Sequence, residues 1–198
     1  MNSRITVVIM TFVAGVILVQ MVSRGQPETG AAEETKTKIK NEVTSNNTRV
    51  GNLSANVPDS WMGIRPSSSM RLMEFRLGVA ADDANLAIFK NIGGTIDNNL
   101  ERWSGQFGYS LSDPEVNIRA ENINGMQVSI ISIIGTYTNT MAFSNATQPR
   151  INYRLLGAIA DTPDGLYYFK LTGPNTVITG RLEEFTLFIQ SLRYDKIG

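Results

Sequence analysis

The chain has 198 residues, with 18 Lys/Arg balanced by 18 Asp/Glu, and contains neither cysteine nor histidine. That composition excludes disulfides, thiolate nucleophiles, zinc–thiolate centres, an acylated N-terminal cysteine and Ser-His-Asp catalysis. Residues 1–56 carry six cations against four acids and the rest twelve against fourteen, so neither part has the basic excess of a nucleic-acid binder.

Residues 5–22, ITVVIMTFVAGVILVQMV, form an uncharged apolar run behind Arg4. The run is long for a signal-peptide core and just long enough to span a bilayer. We read 1–22 as an uncleaved signal anchor holding the chain in a bacterial inner membrane with its C-terminal domain extracytoplasmic; a secreted or periplasmic protein after signal cleavage is the alternative. Residues 23–52 are rich in Glu, Lys, Thr, Asn and Ser and read as a flexible polar tether. The folded domain is expected over 53–198.

Within that domain, 70–77 reads as a strand with Met73, Phe75 and Leu77 on one face, and 85–92 as the next strand. Gly93-Gly94 then breaks the chain. Ile96, Leu100, Trp103 and Phe107 follow at spacings of four, three and four, which is one face of a helix over 95–107 with Thr95 or Gly94 as its cap. Burying those four side chains contributes about 1.5–3 kcal/mol each as an upper figure. Runs 116–122 and 126–134 flank Asn124-Gly125, a strong hairpin signal, and 153–160 and 166–171 flank Thr162-Pro163-Asp164-Gly165. Ile178, Leu182, Phe185, Ile189 and Leu192 predict one last helix over 174–193, with Pro174 at its first position. The middle strands are nearly continuously apolar and so look covered on both faces. The expected class is α+β: a mostly antiparallel sheet with helices on both faces, in which Gly157, Ala158 and Ala160 let a helix approach closely.

This order of elements, with Val57-Pro58-x-x-Trp61, Met70-Arg71, Arg102-Trp103-x-x-Gln106-Phe107, Leu156-Gly157-Ala158-Ile159 and Phe169-Lys170-Leu171-Thr172-Gly173-Pro174, resembles the PsbP-like fold shared by PsbP and DcrB-type lipoproteins. The resemblance runs from about 57 to 192 and implies an α/β/α sandwich. It implies little about function, because members of one fold do unrelated things. The lipid-bearing cysteine of the lipoproteins is missing, which leaves the apolar N-terminus as the anchor.

Few residues suggest chemistry. Asn99, Arg102 and Gln106 lie three and four apart beside Trp103 and form a candidate stripe for gripping a carboxylate or phosphate; as a solvated helix flank they would do nothing. Thr172 and Gly173 precede the last expected helix, where free N–H groups can hold an anion. Asp97 and Glu101 are one turn apart, but acids are favoured in the first turns of any helix. Tyr137 and Phe143, in the long connection 135–150, are surplus in a solvated loop and are candidate contact residues. No cofactor or metal site is legible. The expectation is a membrane-anchored, non-catalytic extracytoplasmic domain that binds a partner protein or supports an envelope complex. The alternative is a small anionic-ligand-binding domain or a carboxylate-based hydrolase, and a cavity lined by Arg102, Gln106 and the long connection would favour it.

Overall fold

The computed structural model describes residues 45–78, 84–138 and 148–195, all within one compact unit, 41–198. The expected membrane segment 5–22 and most of the tether lie outside them. Among the described residues no helix is long and apolar enough to cross a membrane.

The described residues form ten strands and three helices: β1 Ser45–Val50, β2 Leu53–Pro58, β3 Met62–Ile64, β4 Arg71–Leu77, β5 Ala84–Lys90, α1 Ile96–Gly105, β6 Val116–Ile123, β7 Met126–Tyr137, β8 Arg150–Thr162, β9 Gly165–Pro174, α2 Asn175–Thr179, α3 Leu182–Gln190 and β10 Arg193–Tyr194. A seven-stranded sheet runs β3-β4-β5-β9-β8-β7-β6, and β1-β2-β10 form a second, three-stranded sheet. Every pairing is antiparallel.

The large sheet is covered on both faces, as its apolar strands require. On one face Phe75, Leu77, Leu86, Ile88, Val128, Phe169 and Leu171 pack with Ile178, Phe185, Phe188 and Ile189 of α2 and α3 and with Val50, Leu53, Ala55 and Val57 of the small sheet. On the other face Ile131, Ile133, Leu155, Ile159 and Tyr168 pack under Leu100, Trp103 and Phe107. Residues alternate along a strand, so β9 gives Phe169 and Leu171 to the first core and Tyr168 to the second.

Helix α1 starts at a capping box. Thr95 Oγ1 accepts from the Asn98 N–H at 3.1 Å, and Asn98 Oδ1 accepts from the Thr95 N–H at 3.2 Å. Trp103 lies directly over Gly157: a Cβ there would stand 2.5 Å from Trp103 Cζ3 and 2.7 Å from Ile131 Cγ2. The small residue in β8 therefore sets the helix-to-sheet distance. Gly105 has open space around it and simply ends the helix. The Asn124-Gly125 hairpin forms with both residues at positive φ, 49° and 86°, as a type I′ turn requires.

Two expectations are corrected. Residues 45–52, assigned to the tether, form β1 and its turn. The strand is exposed on most of its side chains, and only Val50 is buried, so it left no apolar alternation to read. The single helix expected over 174–193 is two, α2 and α3, broken at Gly180-Arg181. Pro174 belongs to β9, paired with Tyr153, and caps α2 instead of opening it.

A cationic cleft beside helix α1

Helix α1 covers only part of its face of the sheet. Where it stops, β4, β5, β9 and β8 are left bare, and a cleft opens there. One chamber, about 230 Å³, has Asn85, Ala87 and Phe89 of β5 and Lys170 and Thr172 of β9 along the sheet, with Arg71, Tyr137, Arg150 and Tyr153 around them. A second, about 220 Å³, lies toward α1 between Met70, Phe89, Ile92, Trp103 and the polar side chains of Arg102 and Gln106. The two meet at Arg71, Phe89 and Lys170.

Lys170 is the centre of this arrangement. Its Nζ donates to Gln106 Oε1 at 2.5 Å and stands 5.7 Å from the centre of the Tyr137 ring. No described carboxylate lines either chamber. Burial, reinforced by the charges of Arg102 and Arg71, pushes the Lys170 ammonium down to about 7. A half-buried amine among cations behaves this way because no described acid compensates its charge.

The arginines are held in place by neutral or single-acid contacts. Arg71 Nη1 pairs with Glu74 Oε1 at 2.6 Å and lies over Phe89, its Cζ 5.7 Å from the ring centre. Burial alone would raise the Glu74 carboxyl, but hydrogen bonds from the Ser67 N–H and Asn85 and the nearby Arg71 charge outweigh it and hold the group below its ordinary value. Arg102 Nη2 donates to Asn99 Oδ1 at 2.6 Å. Arg150 Cζ lies 5.5 Å from the Tyr153 ring centre, and Tyr153 stacks on Tyr137 at 6.0 Å and 13°. Burial pushes the Tyr137 phenol up, against the opposing pull of Arg150 and Arg71. Thr172 Oγ1 is buried and has no hydrogen-bond partner among the described residues. A buried hydroxyl of this kind is seldom left unpaired.

The sequence-derived candidates fall into place unevenly. Arg102 and Gln106 line the second chamber and Tyr137 the first. Asn99 is 3% exposed: its Nδ2 donates to the carbonyls of Gly93 at 2.9 Å and Thr95 at 2.8 Å, closing the start of α1, while its Oδ1 accepts from Arg102. Thr172 reaches the cleft, but from inside β9 and not from a helix N-terminus. Gly173 packs on Ala84, where a Cβ would stand 2.6 Å from its Cα, and takes no part. Phe143 lies outside the described residues. Asp97 and Glu101 are exposed on α1, away from both chambers. Among the described residues no group of three acids is placed to hold a metal ion.

Lys170, Arg71, Arg150 and Tyr153 were not singled out from the sequence. One signal was present: Lys170 is the only charged residue in the apolar run 166–171, and an ionisable group in a strand buried on both faces needs a reason.

The molecule is thus an antiparallel α+β sandwich with a cationic cleft beside α1 on one face of the large sheet. No family model matches the sequence, and no curated protein does. Solved structures similar to it include the solution structure of cyanobacterial PsbP (CyanoP) from Synechocystis sp. PCC 6803, at 12% identity and a TM-score of 0.49, covering 78% of this chain and 95% of that one. Another is PA94 from Pseudomonas aeruginosa, a protein of unknown function, at 12% identity and a TM-score of 0.43, covering 77% and 99%. Neither likeness carries a ligand, activity or partner to this chain.

Proposed function

We propose that this protein is a non-catalytic binding domain, tethered to the membrane through residues 5–22 and facing away from the cytoplasm, whose ligand is a small anion held in the cleft beside α1. The observation that carries the reading is Lys170. It sits with Arg71, Arg102 and Arg150 around two adjoining cavities that no described carboxylate lines. Three guanidinium groups and an ammonium converging on a cavity suit a carboxylate or phosphate, which arginine grips in two-point contacts. Arg102 and Gln106 line the second chamber, and Tyr137 and Arg150, the two ends of the long connection, line the first. The hydrolase form of that alternative gains no support, since it needs paired carboxylates and the nearest acid, Glu74, is engaged by Arg71. The apolar stretch 5–22 supports the anchor.

A protein partner presenting an acidic side chain or a C-terminal carboxylate is the second reading, supported by Met70, 63% exposed where it borders the second chamber. Thermal unfolding of the full chain in lipid nanodiscs, with sulfate or acetate against chloride at constant ionic strength, tests the first reading. Sulfate and acetate are expected to raise the midpoint of the wild type and not of Lys170→Met. Equal midpoints in every anion for the wild type refute it.

A further inference from the structure

The two chambers differ in chemistry, and the difference reads as a ligand with two unlike ends. The first is bordered mainly by polar residues, Arg71, Asn85, Arg150, Lys170 and Thr172, with the rings of Phe89, Tyr137 and Tyr153 beside them. The second carries more apolar wall, Met70, Phe89, Ile92 and Trp103, with Arg102 and Gln106 beside it. Arg71 and Lys170 stand where the chambers meet, so a charged group gripped there has the polar chamber on one side and the apolar one on the other.

From this juxtaposition we infer that the ligand is an amphipathic anion: a carboxylate bound between Arg71 and Lys170 with its second oxygen toward Arg150, and a short apolar tail running past Phe89 into the second chamber. The headgroup supplies the countercharge that Lys170 lacks. The tail covers the half-buried Phe89 and Ile92 and the exposed Met70. A simple inorganic anion fills only the first role. The second chamber, about 220 Å³ and open to solvent, takes a tail of several carbons.

This inference rests on the anion-binding reading, and a homologous series separates the two. Acetate, butanoate and hexanoate are titrated calorimetrically into the full chain in lipid nanodiscs, with empty nanodiscs as the blank, alongside sulfate. Full burial of one methylene is worth about a three- to fourfold gain in affinity. Hexanoate is therefore expected to bind at least tenfold more tightly than acetate, and Met70→Gln to narrow that ratio. Lys170→Met is expected to weaken every member of the series. Equal affinity for acetate and hexanoate overturns the tail assignment while leaving an anion site standing, and so does a ratio that Met70→Gln leaves untouched. Failure of sulfate and all three carboxylates to bind overturns both readings.

Discussion

The two faces of the seven-stranded sheet are built from the same strands and put to different uses. Under α2 and α3 the face is closed: Phe188 packs tilted against Trp61 at 5.0 Å and edge-on against Phe169 at 5.6 Å, and at its rim Glu184 accepts from Trp61 Nε1 at 2.8 Å and from Arg181 at 2.8 Å. Under α1 the face is half closed, and its open half carries an unneutralised lysine, three arginines and an unpartnered hydroxyl. In β9 the two uses alternate residue by residue: Phe169 and Leu171 face the closed side, Lys170 and Thr172 the open one. The period of two in a strand lets a protein place a charged site against the back of a core without a charge in that core. One face thus stabilises the sheet on which the other opens its cleft.

Substitutions that break one face should leave the other's property intact. The largest effect is expected from Phe188→Ala on the closed side and Trp103→Ala on the α1 side, each lowering stability by about 3–5 kcal/mol in denaturant unfolding. Gly157→Ala comes next. Its new methyl overlaps Trp103 and Ile131, and a loss of about 1–3 kcal/mol follows unless α1 shifts outward.

Lys170→Met should act in the opposite direction. The folded-state value of about 7 lies below the ordinary 10.5, so between those values the unfolded chain binds more protons and stability rises with pH. Below about pH 7 the wild type carries the full penalty of a charged amine in the cleft. The variant is therefore expected to be more stable than the wild type by about 1–3 kcal/mol at pH 6, a discounted figure because solvent reaches the cleft, with the advantage gone near pH 11. Unfolding curves at the two pH values check the sign. The smallest effect on stability is expected for Arg102→Ala, under about 1 kcal/mol, since its contacts are one hydrogen bond to Asn99 and packing of its stem. If Arg102→Ala unfolds the domain as badly as Trp103→Ala, Arg102 is a structural ion and the cleft loses one of its anion donors.

The α1 face was largely legible in the sequence. The four-three-four spacing of Ile96, Leu100, Trp103 and Phe107 locates the helix, and Gly157 marks where it lands. What escaped reading had specific causes. Strand β1 is too exposed to show an apolar pattern. The break between α2 and α3 hides because Ile178, Leu182, Phe185 and Ile189 keep one helical period across Gly180-Arg181. In the cleft, Arg102 and Gln106 are neighbours on one helix and so visible by spacing. Arg71, Arg150 and Lys170 come from three strands whose adjacency depends on the order β4-β5-β9-β8, which crosses the chain order and is not encoded in any local stretch.

That the cleft is an anion site centred on Lys170 is tested most directly by sulfate affinity as a function of pH. Sulfate stays fully ionised between pH 6 and 8.5, so only the protein's charge changes. Binding that needs the protonated amine should weaken by about tenfold or more over that interval in the wild type, as the competent fraction falls. In Lys170→Met binding should be weak at both values. A wild-type affinity that is the same at pH 6 and pH 8.5 and is unaltered by Lys170→Met would contradict it.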